Sequence, residues 1–173
     1  MKNLFQILCG LFLEVSYSSC MHSEEDKVDV LIIGGGASGV TSGIQSARMG
    51  ANTLILEEST WLGGMLTSAG VSAVDGNYRL PAGLWGEFKN RLSDYYGGLD
   101  SLKTGWGSNV LFEPSVGNKI LHEMVAAENN LKVWKQACLE EVKRTGDEWG
   151  AKVKVEGQGV KTVRAKVMID ATE

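Results

Sequence analysis

The chain has 173 residues, 43% of them apolar and 22% charged, with 22 glycines and 2 prolines. These are globular values, and a glycine-rich, proline-poor balance suits turn-dense α/β architecture and excludes a disordered chain. A net charge of −4 argues against a nucleic-acid surface.

The N-terminus reads as a leader. Lys2 gives a short positive start, residues 4–15 an apolar stretch and residues 16–20 a small polar end. That is the shape of a secretory signal, too short to anchor as a membrane span. Small residues before Cys20 match a bacterial lipoprotein signal over residues 1–19, with Cys20 as the lipidated first residue. Tyr17 and Glu14 depart from that pattern, and a plain cleaved signal or an uncleaved start are the alternatives. The expected location is exported, periplasmic or membrane-anchored at Cys20, and otherwise cytoplasmic. Residues 20–27 read as a short linker. Cys138 is then the lone cysteine of the body, which builds neither a disulfide framework nor a thiolate metal site.

The most informative segment follows. Val30-Leu31-Ile32-Ile33 is long enough for a central parallel strand and too short for a helix. Gly34-Gly35-Gly36-Ala37-Ser38-Gly39 follows without a gap, and Val40, Ile44 and Ala47 then recur at helical spacing up to a capping Gly50. Thr53-Leu54-Ile55-Leu56 gives a second strand ending at Glu57, 18 positions after Gly39. Strand, glycine turn, helix, strand and terminal acid form a mononucleotide-binding βαβ unit. Gly34 allows the tight turn, Gly36 lets a pyrophosphate approach the backbone, and Gly39 lets the helix pack closely. The helix N-terminus offers unpaired N–H groups and its positive end to phosphates. Glu57 accepts hydrogen bonds from the ribose hydroxyls of an adenosine and repels a 2′-phosphate. A plain glycine-rich turn would leave Glu57 unexplained.

Further on, Leu62-Gly63-Gly64-Met65-Leu66-Thr67 supplies a second glycine pair where backbone must approach something closely. Residues 71–74 read as a short strand before the turn Asp75-Gly76-Asn77. Pro81 starts a helical pattern with Leu84, Phe88 and Leu92 on one face, ended by Gly97-Gly98. Residues 99–112 read as loop. Pro114 starts another helix whose buried stripe is Ile120, Leu121, Met124 and Val125. A strand at 131–134 precedes strand-like runs at 138–144, 149–156 and 160–164, separated by hairpin turns, which make an antiparallel meander. Lysines 152, 154, 161 and 166 alternate with valines as the wet face of that sheet. A buried strand at 166–171 closes the chain, and one so apolar expects cover on both faces.

These elements in this order resemble the FAD-dependent oxidoreductases of the glutathione-reductase-like kind. More narrowly they resemble the bacterial flavoproteins with a Leu-Gly-Gly-Met-x-Thr segment, through residues 29–39, 54–57, 62–67, 114–128 and 165–172. The resemblance implies a Rossmann-like FAD/NAD(P)-binding domain over residues 28–173, a parallel sheet plus an antiparallel β-meander, incomplete at the C-terminus. FAD is the implied cofactor. Gly34, Gly36 and Gly39, with the amides of Ala37 and Ser38, would hold its pyrophosphate. Glu57 would bind the adenosine ribose, Glu58 being merely solvated. Gly63, Gly64 and Met65 would line the pyrophosphate–ribityl stretch, Ala137 and Cys138 would meet the adenine, and Ala171-Thr172 would close over the dinucleotide. Glu173 departs from the pattern, because relatives continue with glycine and a substrate domain beyond it. The chain therefore resembles the N-terminal portion of a larger flavoprotein.

Other residues weigh less. Trp134 and Trp149 suit core or sheet packing, and Trp85 and Trp106 suit an interdomain surface, leaving Trp61 as the tryptophan best placed for a flavin. His122-Glu123 opens like a zinc-protease helix, but position 126 is Ala. With only His22 and His122 present, neither a Ser-His-Asp triad nor a metal site is expected, and no acid–base residue or metal ligand is named. The expected reaction is transfer of a hydride or electrons between flavin and a small substrate, carbohydrate-derived in some relatives' settings. The alternative is a non-catalytic nucleotide-binding module or an inactive fragment. No nucleic-acid partner is expected, and membrane contact only through Cys20.

Overall fold

Alternate residues of the first strand point to opposite sides of a sheet, and here both sides are covered. In the computed structural model, residues 25–105 and 107–172 are described. The leader with Cys20, Trp106 and Glu173 lie outside them. Strand β1 (Glu25–Ile33) leads through a glycine turn into helix α1 (Ala37–Arg48) and strand β2 (Thr53–Glu57). Helices α2 (Gly83–Tyr96) and α3 (Pro114–Ala126) follow, then β3 (Leu131–Lys135), β4 (Ala137–Thr145), β5 (Glu148–Val155) and β6 (Gly159–Asp170). The strand order is β3-β2-β1-β6-β5-β4. The pairs among β3, β2, β1 and β6 are parallel, and those of β5 with β6 and β4 antiparallel. This is the expected mixed α/β Rossmann-like architecture.

The pleat sorts side chains into two cores. Ile32, Ile55 and Leu131 face the helices, meeting Val40 and Ile44 of α1 and Ile120, Leu121 and Met124 of α3. Leu31, Ile33, Leu54 and Leu56 face the other way, against Ala137, Ala151, Val153, Val155, Val163 and Ala165 of the meander. The parallel strands are thus sandwiched between helices and meander, as a central sheet requires. At Gly43 a Cβ would lie 2.6 Å from Cδ1 of Ile55, so this glycine sets how closely α1 sits on the sheet.

Polar links tie the helix layer together. Arg48 donates to Glu87 of α2 at 2.6 Å and to Glu128, just beyond α3, at 2.7 Å. Asn130 Nδ2 donates to the carbonyls of Ala47 and Ala51 at 2.9 and 2.8 Å. Lys89 is buried on α2, and its Nζ donates to the carbonyls of Tyr78 and Leu80 at 2.7 and 2.9 Å, pinning the preceding loop.

Several elements differ from the sequence reading. β1 begins at Glu25, inside the segment read as linker, because Glu25–Lys27 pair in register with Thr162–Arg164. The runs at 160–164 and 166–171 are one strand, β6, bonded to β5 along its first half and to β1 along most of its length. Within it Val167 is 50% exposed rather than buried. Residues 71–74 form only an isolated bridge between Ala73 and Leu111. Helix α2 starts at Gly83, two residues after Pro81, and residues Leu99–Leu102 of the expected loop form a 3₁₀ turn.

Burial along the helix-side face of the sheet predicts unequal costs. Ile32→Ala, in the helix-side core, should lower unfolding free energy by about 2–5 kcal/mol. Val167→Ala should cost under about 1 kcal/mol because half its surface is already wet. Urea denaturation followed by circular dichroism compares the two directly, and equal losses would contradict this placement.

Candidate functional site

At the carboxyl end of β1 the chain must turn sharply and enter a helix within three residues. Gly34 adopts φ +99°, and its N–H donates to the carbonyl of Leu56 at 2.9 Å. A Cβ there would lie 2.5 Å from the carbonyl oxygen of Ala171, so only glycine fits beneath the end of β6. Gly39 is fixed by a second close approach: a Cβ would sit 1.9 Å from the carbonyl oxygen of Gly34. Its requirement is therefore the turn, while Gly43 serves the helix-to-sheet contact that the sequence reading gave to Gly39. Gly36 is the N-cap of α1. No side chain caps the helix, and its first turn holds no acid. The positive end of the helix dipole is left for an anion.

The second anchor is Glu57, at the end of β2. Gly35 N–H donates to its Oε2 at 2.7 Å, and Ser59 N–H donates to its Oε1 at 2.7 Å. A carboxylate has about four lone-pair positions, so each oxygen keeps one for a hydroxyl group. Gly35 had no assigned role in the sequence reading. Yet a Cβ on it would meet Glu57 Oε2 at 2.7 Å, which makes it the residue that lets acid and turn touch. Its signal was available as a third glycine between the two that the fingerprint demands.

Behind this pair, Gly63 adopts φ +107°, donates to the carbonyl of Gly35 at 2.8 Å and bridges Gly36. A Cβ on Gly63 would meet Cδ1 of Leu121 at 2.6 Å, so it seats the second glycine pair on α3. Asn118 of α3 accepts from Leu62 N–H at 2.9 Å, and the Thr67 hydroxyl donates to the Leu62 carbonyl at 2.5 Å.

These pieces enclose a cleft of about 360 Å³, within the roughly 300–1,000 Å³ of small-molecule sites. Of the residues singled out from sequence, Gly34, Gly36, Glu57, Gly64, Ala137, Ala171 and Thr172 line it. Gly35, Glu58, Ser68 and Leu139 line it as well. Gly39 and Gly63 support the lining from behind, Ala37 and Ser38 begin the helix at its edge, and exposed Met65 follows Gly64 in a 3₁₀ turn. Cys138 sits outside the lining, between Ala137 and Leu139. Its exposed thiol donates to Glu58 Oε1 at 3.5 Å, and that contact holds its pKa above the ordinary thiol value. Glu58 is exposed, as the sequence reading has it, but it also lines the cleft. Trp61 lies in a separate open hollow with Thr60, Gly70 and Pro114.

A second hollow of about 210 Å³ lies over Gly150 on the outer face of the meander. Its charges satisfy one another. Lys143 and Lys152 hold the Glu141 carboxyl down to about 2, and Arg164 pairs with Glu25 at 2.5 Å. His122 is half-buried on α3, where burial pushes its pKa down, and among the described residues no cluster of metal-ligating groups occurs.

Comparisons with known proteins agree with this geometry. The family model described as FAD dependent oxidoreductase matches residues 29–173. No curated protein matches the chain. Among solved structures, a flavoprotein/dehydrogenase from Cytophaga hutchinsonii superposes with a TM-score of 0.62 at 17% identity, covering 84% of this chain and 39% of its own. A geranylgeranyl bacteriochlorophyll reductase-like protein from Thermoplasma acidophilum gives 0.57 at 20% identity, covering 85% and 39%. The L-proline dehydrogenase from P. horikoshii gives 0.53 at 23% identity, covering 86% and 23%. At such identities the likeness is one of fold. This chain spans between 23% and 39% of the length of those three structures.

Glu57→Gln tests the latch between acid and turn. The amide offers one oxygen where the carboxylate offered two, so one backbone N–H loses its acceptor. The expected loss is about 1–3 kcal/mol of unfolding free energy, read from the urea midpoint. An unchanged midpoint would show that the two amides do not depend on this side chain.

Proposed function

The chain belongs to the FAD-dependent oxidoreductase family, with FAD as its cofactor, and on that premise we propose that it builds the adenosine and pyrophosphate end of the FAD site of an enzyme oxidising or reducing a small organic substrate. The observation that carries this reading is the glycine turn locked to Glu57 beside an uncapped helix N-terminus. The residues fit the cofactor: glycine backbone, an uncapped helix start and a carboxylate with open acceptor positions meet at one cleft.

In this reading the amides of Ala37 and Ser38 hold the pyrophosphate, which the helix dipole favours. Glu57 accepts from the ribose hydroxyls with the lone pairs that Gly35 and Ser59 leave open. Ala137 and Leu139 form the apolar wall beside the adenosine, and Gly64 and Ser68 continue the cleft towards the ribityl chain. Bound FAD supplies the redox chemistry, while the protein positions it. Gly63, wedged on α3, keeps the second glycine pair in place.

The test separates binding from stability. Ser38→Asp places an acid in the first turn of α1, where the dipole makes it neutral or stabilising by about 0.3–1 kcal/mol. The same charge should weaken FAD and ADP binding at least about tenfold by repelling the phosphates. Wild-type protein loaded with FAD should be yellow, with flavin absorption that dithionite bleaches. Colourless protein that binds ADP but no flavin would point to a non-catalytic nucleotide module, and affinity unchanged in Ser38→Asp would place the phosphates elsewhere.

A further inference from the structure

The cleft has an unusual charge balance. Among its lining residues the ionisable side chains are Glu57 and Glu58, and there is no lysine, arginine or histidine. The two carboxylates have different supports. Glu57 is held by the amides of Gly35 and Ser59. Glu58 reaches from the end of β2 towards β4, where the Cys138 thiol donates to its Oε1 at 3.5 Å. Cys138 stands beside Ala137 and Leu139, which line the same end of the cleft. Lys154, opposite Cys138 in the β4–β5 register, is not a lining residue.

We infer that Glu58, positioned by Cys138, is a second specificity residue of this site, which makes the cleft reject nucleotides carrying a phosphate on the adenosine ribose. The inference rests on the cofactor reading above and goes further, because it gives work to an acid beyond the one that binds ribose. In dinucleotide sites that accept a 2′-phosphate an arginine stands close to the ribose. Here the corresponding neighbour of Glu57 is another carboxylate. An added phosphate would then meet two like charges and no counter-charge among the lining residues.

ADP-ribose and its 2′-phosphorylated form differ only in the group at issue, and calorimetry on the full chain compares them. Wild-type protein should bind ADP-ribose at least about tenfold more tightly than the 2′-phosphate. Glu58→Gln should narrow that ratio by at least about fivefold, and Glu58→Lys should narrow it further or reverse it. Glu58 is exposed, so neither change threatens the fold. Wild-type discrimination retained in both variants would overturn the inference while leaving the cofactor reading intact. Failure of wild-type protein to bind either ADP-ribose or FAD would overturn both.

Discussion

One carboxylate, that of Glu57, holds two backbone amides at once, and through them it ties the glycine turn after β1 to the loop after β2. The turn is crowded: Gly34 lies under Ala171, Gly39 against the Gly34 carbonyl, and Gly35 against Glu57 itself. No side chain could enter at Gly34 or Gly39 without displacing backbone, or at Gly35 without displacing Glu57. The amides at the start of α1 are thus aimed by contacts on three sides, before any ligand arrives. Preorganisation of this kind lowers the ordering cost of binding an anion.

The fold exists to hold that corner still. β1 and β2 are buried on both faces, one set of alternate residues packing on helices and the other on the meander. Their carboxyl ends, where ligands bind in open α/β sheets, cannot shift without disturbing two cores. Strand β6 serves both layers, pairing with β5 as part of the meander and with β1 in the parallel sheet. The residues that follow it, Ala171 and Thr172, therefore arrive directly over Gly34. Gly63 and Asn118 perform a similar task from the α3 side, clamping the second glycine pair beside the first.

How far the sequence foretold this depends on the range of the interaction. The β1–α1–β2 unit was legible because its signals are local: an apolar run, a glycine cluster, helical spacing and an acid. Gly34, Gly36 and Glu57 fell where that pattern demands. Roles set by tertiary contact were not legible. Gly35 matters because a side chain 22 positions away touches it. Glu58 looked solvated because its partner, Cys138, lies 80 positions on. Gly39 and Gly43 both approach other backbone or side chains closely, but periodicity cannot say which neighbour each meets. β6 was read as two strands because its pattern changes midway, from alternating to continuously apolar. The physical cause is a change of neighbour along one strand, from the meander to the parallel sheet.

The central claim is that the cleft above the glycine turn receives an adenosine diphosphate moiety. Amide chemical-shift mapping of the isotope-labelled chain during an ADP titration tests it most directly. The account predicts that the largest changes fall on residues 34–39, on Glu57 and Ser59, and on residues 137–139. Changes centred instead on the hollow over Gly150, or none at saturating ADP, would contradict it.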